Sequence, residues 1–132
     1  MVDGSKLDSI KLKLGFPNAI CNAVSKLWVL WNDDIQCSVI HRSDQVIGLN
    51  CKHYDLEGDF RVVAIYAKCC KIERRVLWSE LISLANVSTP LLIGGNFNIV
   101  RQASEIVGGN SIDFMAADEF NKCIDDCGLL EI

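Results

Sequence analysis

A chain of 132 residues makes one domain at most. Half of its residues are hydrophobic, enough for a real core and too many for a disordered chain. Its net charge of -4 is a poor footprint for a protein that must hold nucleic acid through its phosphates, although an enzyme using a metal could still do so.

The longest apolar runs, such as Leu27-Trp28-Val29-Leu30-Trp31, fall well short of the ~18–20 residues of a membrane span, so no membrane association is expected. Met1-Val2-Asp3-Gly4-Ser5-Lys6 has no basic segment leading into an apolar one. The expectation is an intracellular protein, cytoplasmic or nuclear, and not a secreted one.

Ser5 to Leu14 reads as a short helix. Ser5 caps it, Asp8 completes a weak capping box, and Leu7, Ile10 and Leu14 share a face. Gly15 stops it and Phe16-Pro17 cannot continue it. Asn18 to Ser25 has no decided form. Lys26 to Trp31 is rich in aromatic and β-branched residues and predicts a strand. Asn32-Asp33-Asp34 is a turn, Ile35 to Arg42 a strand, Ser43-Asp44 a turn and Gln45 to Lys52 a third strand. After a loop with Gly58, Phe60 to Lys68 gives a fourth strand. Such short connections predict an antiparallel meander.

The period then changes. Ile72 to Ala85 predicts a helix with Ile72, Val76, Leu77, Leu81, Leu84 and Ala85 on the apolar face and Glu73, Arg74 and Glu80 outside it. Arg74-Arg75 reads as a solvated edge or as partners for Glu73 and Glu80. No residue offers an obvious N-cap. Ser88-Thr89-Pro90 breaks the helix. Leu91 to Ile93 follows as a buried central strand, then residues 101–111 as a loop with Gly108-Gly109. Asp113 to Cys127 predicts a second helix burying Phe120, Cys123, Ile124 and Cys127, and Gly128 ends it. Leu129 to Ile132 looks like the start of another strand, so a truncated domain is expected. The fold class is α/β (α+β), a β-sandwich with flanking helices.

Seven cysteines in an odd count, without a secretory signal, favour free thiols. Cys123 and Cys127 have the i, i+4 spacing of two metal ligands but lack a second ligand pair, so packing is expected. Asn86-Val87-Ser88 matches a glycosylation sequon, which means little without secretion. His41 and His53 read as ordinary surface or packing histidines, and Trp28, Trp31 and Trp78 as core or sheet-face residues.

The stretch Gly94-Gly95-Asn96-Phe97-Asn98 is the candidate site. The glycines permit a sharp turn and a close approach. In an extended segment Asn96 and Asn98 would share one face and Phe97 would pack on the other. Amides can orient a phosphate or a water but cannot take a proton or offset a cation's charge. A strand followed by an Asx-rich turn accounts for the same residues.

The order Ile65-Tyr66-Ala67, Arg75-Val76-Leu77-Trp78, Gly95-Asn96-Phe97-Asn98, Glu105 with Gly108-Gly109, then Asp113-Phe114 resembles the endonuclease/exonuclease/phosphatase family. More narrowly, it is similar to the endonuclease domain of plant LINE-type non-LTR retrotransposons. Lys26 to Trp31 and Asp44-Gln45-Val46 also fit that subgroup, and the similarity runs from about Leu14 to Ile132.

The resemblance implies metal-dependent phosphoester cleavage. In it a cation and hydrogen-bond donors offset charge on the phosphoryl oxygens, and a carboxylate positions the attacking water. Tyr66 matches the family's phosphate-contacting Tyr and Asn98 its phosphate-stabilising Asn, while Asn96 stands where the family has Asp. The family's metal-binding Glu would precede Met1 and its closing Asp-His pair would follow Ile132.

Replacing that Asp with Asn forfeits general-base and metal-charge contributions of ~10²–10⁴ each. The expectation is therefore one partial domain over residues 1–132, degenerate or truncated, without catalysis. Its vestigial site residues are Tyr66, Asn96 and Asn98. No cofactor or metal ligand is expected, and nucleic acid is a partner by resemblance only.

Two alternatives stand beside it. One is a Mg²⁺-dependent phosphodiesterase or DNA endonuclease with residual activity, in which Asp55, Glu57 or Asp59 replace the missing ligands, although those residues read as a solvated loop. The other is a non-enzymatic binding module or an unstable fragment with unpaired sheet edges.

Overall fold

The computed structural model of the chain describes residues 4–108 and 111–132. Gly109 therefore lies outside the described residues, as does the Met1-Val2-Asp3 start. The chain divides into two units, Met1–Tyr66 with Thr89–Asn96, and Ala67–Ser88 with Phe97–Ile132. It is a mixed α/β protein with a four-stranded mixed sheet, a two-stranded sheet and helices.

The first unit opens with α1 (Gly4–Leu14). The helix begins at Gly4, one residue before Ser5, the expected capping residue. Gly15 ends it at φ 75°, a left-handed conformation natural to glycine, while the Phe16 amide bonds back to the Lys11 carbonyl at 3.0 Å. Of the residues expected to share a face, Leu14 is exposed, whereas Leu7 and Ile10 are half-buried.

The undecided stretch after it forms β1 (Asn18–Cys21), which pairs antiparallel with β2 (Trp28–Trp31). Fully buried Asn22 fixes their connection. Its Oδ1 accepts from the Lys26 and Leu27 amides at 3.0 and 3.1 Å, and its Nδ2 donates to the Asp44 carbonyl. A buried amide satisfied on both ends specifies one loop geometry.

β3 (Ile35–Arg42), β4 (Val46–His53), β5 (Phe60–Tyr66) and β6 (Leu91–Asn96) form the larger sheet in that order. The expected four-strand meander is thus corrected. Three of its strands form the antiparallel run β3–β4–β5, but the Trp28–Trp31 strand pairs with β1 in a separate sheet. Ile47, Leu49 and Cys51 of β4 form a buried cluster, and Ile20, Val29 and Trp31 of the smaller sheet pack on it with Phe60 and Val62. Alternation explains the choice, since these β4 residues are two apart and share one face.

β6 joins β5 in parallel and ends the four-strand order, so it is not a central strand. Nor is it buried: Leu91 and Ile93 are half-buried, Leu92 is 54% exposed, and the strand is exposed from Gly94 to Asn96. The strand also runs through Gly94 and Gly95 to Asn96, where a turn was expected. An apolar triplet does not distinguish an edge from a centre.

The second unit packs α2 (Lys71–Ala85) against α3 (Phe114–Asp126). Trp78 stacks on Phe120 with ring centroids 5.3 Å apart, and Phe97 meets the same ring at 4.9 Å. Leu77, Leu81, Leu84, Ala116, Ala117 and Cys123 are buried. The expected face of α2 is corrected here: Ile72 and Val76 are exposed, whereas Arg74 and Trp78 are buried. Asp113 caps α3 through the Ala116 amide at 3.1 Å and pairs with Lys71 at 2.9 Å. Arg75 grips Glu119 through Nε and Nη2, so its partner is neither Glu73 nor Glu80. Leu129–Ile132 is not a strand: it is irregular, with Leu130 exposed and Glu131 paired to Arg101 at 2.9 Å.

These ion pairs set an acid limit. Lys71 and the Ala116 amide hold Asp113 below its ordinary value of 3.8, and Arg75 holds Glu119 below 4.5. A carboxylate with a depressed folded-state pKa contributes stability above its unfolded-state value and loses it as pH falls through the folded one. The urea midpoint should therefore drop as pH falls below about 4.5. A variant with Asp113→Asn and Glu119→Gln should lose much of that slope, and a slope identical to the parent's would refute the assignment.

Candidate functional site

Strands β5 and β6 run parallel and finish together, so their last residues, Tyr66 and Asn96, are direct register partners. Two of the three candidate residues are thus brought side by side at the carboxyl end of a parallel strand pair, where open α/β sheets commonly place ligand sites. Tyr66 is 38% exposed, and its amide donates to the Gln45 carbonyl at 2.9 Å, which fixes its backbone. Asn96 is exposed.

Gly95 makes this pairing possible. Its φ is 143°, and a Cβ there would run into the backbone of Ile65. The glycine before Asn96 thus permits strand closure rather than the expected turn.

Asn98 belongs to the other unit and does something different. Its φ is 50°, so the two-residue alternation that would have matched its face to that of Asn96 does not extend through it. Asparagine tolerates this left-handed conformation better than other non-glycine residues. Its Nδ2 donates to the Ala67 carbonyl at 2.6 Å, and its own carbonyl accepts from Arg74 Nη1 at 2.9 Å. One N–H of its side-chain amide holds a loop, as the Asx reading of the sequence allows.

Arg74 is the residue that sequence reasoning missed. It is 4% exposed, and Nη1 reaches three carbonyls, those of Lys68, Cys69 and Asn98, at 2.8–2.9 Å. One signal was available: Arg74, Leu77, Trp78 and Leu81 lie at helical spacing, which puts Arg74 on the buried stripe.

Asn98→Ala should cost about 1–2 kcal/mol, from the lost bond and the left-handed φ combined. Asn98→Gly should cost less, because glycine keeps the conformation. Equal costs in urea unfolding would show that φ contributes nothing.

Other polar residues quoted for the family resemblance also have local tasks. Glu105 accepts from the Gln102 amide at 2.9 Å in a capping box over a short 3-10 turn, and Asp113 is the cap of α3. Asp55, Glu57 and Asp59 are exposed, and Asp59 accepts from Asn50 Nδ2 at 2.7 Å. His53 stacks on Tyr54 at 4.5 Å, with Nε2 3.6 Å from Asp34. Cys123 is buried, its thiol pushed up to about 12 chiefly by that burial, and it points to the Trp78 carbonyl. Among the described residues no three His, Cys, Asp or Glu side chains group where they could hold a metal ion, and no helix is long and apolar enough to cross a membrane.

The matched residues do not fit a magnesium ion. Tyr66, Asn96 and Asn98 offer a phenol and two amides, whereas magnesium is ordinarily held through one or two carboxylates. No protein-family model matches the chain, and a search of the curated proteins found no match.

Proposed function

We propose that the chain is a degenerate endonuclease/exonuclease/phosphatase-like domain of retrotransposon origin that does not hydrolyse phosphoesters. The observation that carries this reading is the pairing of Asn96 with Tyr66 at the ends of β5 and β6. By resemblance this is where a carboxylate would orient water beside the phosphate-contacting phenol. An amide can donate to a phosphate oxygen there but cannot accept the proton of the attacking water. The bond from Asn98 to Ala67 supports the same conclusion, because it ties one of the two N–H groups of that amide to a backbone carbonyl. With a net charge of -4, the chain offers nucleic acid little electrostatic attraction.

Titration of the folded chain with Mn²⁺, a spectroscopically visible substitute for Mg²⁺, tests the reading. Native protein should show no saturable site at millimolar concentrations, and Asn96→Asp should gain a weak one. Equal saturable binding by both, lost in Tyr66→Phe, would overturn it.

A further inference from the structure

We propose that Cys37 and Cys51 form a reversible disulfide when the folded protein meets a low-molecular-weight disulfide such as oxidised glutathione. The two residues are direct partners across the antiparallel β3–β4 ladder, with sulfurs 3.2 Å apart. Directly opposed residues in such a ladder have Cα atoms about 4.5–5.5 Å apart. That range lies inside the roughly 4.4–6.8 Å that disulfides span.

The register that opposes them is not the one the hairpin starts with. Next to the turn, Arg42 faces Ile47 and His41 faces Gly48. The ladder then slips between Val39 and His41. Without that bulge the same count would carry Cys37 to Lys52. With it, Cys37 meets Cys51. A bulge inserts one unpaired residue and shifts everything beyond it by one.

The partners differ in accessibility in the way a two-step exchange needs. Cys37 is half-buried, whereas Cys51 is 2% exposed within the apolar cluster of Ile47 and Leu49. Cys37 reacts first: its thiolate attacks one sulfur of the reagent, the reagent's S–S bond breaks, and one thiol leaves. Cys51 then gives its proton to solvent, its thiolate attacks the Cys37 sulfur, and the second reagent thiol leaves. Two protein thiols are oxidised and one disulfide is reduced to two thiols. Burial pushes the Cys51 thiol up to about 12, so closure should be the slower step and should quicken as pH rises.

The test is to expose the folded full chain to oxidised glutathione, trap remaining thiols with an alkylating agent, and map peptides by mass spectrometry. A Cys37–Cys51 linked peptide, lighter by two hydrogens and released by dithiothreitol, is expected. In Cys51→Ala the reaction should stop at a glutathione adduct on Cys37. A Cys69→Ser/Cys70→Ser background, which removes the two exposed thiols, should leave the linkage intact. The proposal is overturned if Cys37 and Cys51 are both recovered alkylated from the folded native chain while Cys69 and Cys70 have reacted. Linkage of either residue to another cysteine would overturn it equally.

Discussion

Arg74→Met should destabilise the chain by about 2–4 kcal/mol, read as a fall in the urea midpoint. The guanidinium is buried in the first turn of α2, where the helix dipole disfavours a cation by roughly 0.3–1 kcal/mol. The two N–H groups of Nη1, shared among the Lys68, Cys69 and Asn98 carbonyls, outweigh that term, since a bond to a charged group contributes about 1.5–3 kcal/mol. Methionine matches the stem but leaves all three acceptors without their donor. Arg74→Lys should recover only part of the loss, because an ammonium lacks the planar reach of the guanidinium. A midpoint for Arg74→Met within error of the parent would show that the three carbonyls are satisfied some other way.

Gly95→Ala should cost roughly 2–5 kcal/mol, from two sources acting together. The φ of 143° is one that side chains rarely adopt, and the new Cβ would meet Ile65 carbonyl oxygen, carbon and nitrogen, none of which can rotate away. Relief requires β6 to move from β5, which would break the pairing of Tyr66 with Asn96. Gly94→Ala is the control: nothing lies within 4 Å of its Cβ, so a change of a few tenths of a kcal/mol is expected. Tryptophan fluorescence can follow both variants, with Trp28 and Trp31 in one unit and Trp78 in the other. Similar costs for the two glycines would show that contact with Ile65 is not what fixes position 95.

The sequence reading succeeded where one short-range rule decides. Gly15 and Gly128 end their helices, Asp113 begins α3, and Ile35 to Tyr66 holds three antiparallel strands. It failed where partners are distant. Nothing local distinguishes β2 pairing backward with β1 from β2 pairing forward with β3, because aromatic, β-branched residues suit either ladder. The apolar Leu91–Ile93 run read as central, yet its strand ends the order.

At the candidate site, residue types alone pair Asn96 with Asn98, and Tyr66 enters only through the resemblance; its pairing with Asn96 comes from the parallel register of β5 and β6. Asn98 was read by alternation, and its φ of 50° ends that alternation. Charge alone suggests exposure for Arg74, whereas the Lys68, Cys69 and Asn98 carbonyls that accept from it make a buried guanidinium stable. The opposition of Cys37 and Cys51 depends on a bulge that no residue type announces.

The measurement that bears most directly on the proposed loss of catalysis is nicking of supercoiled plasmid with Mg²⁺ or Mn²⁺. The native chain would be compared with a Tyr66→Phe/Asn98→Ala variant, both first shown to unfold cooperatively. A chain whose matched residues are a phenol and two amides should leave the plasmid supercoiled, as should the variant. Nicking by the native chain that the variant lacks would mean that Tyr66 and Asn98 serve a working site, and would contradict the assignment.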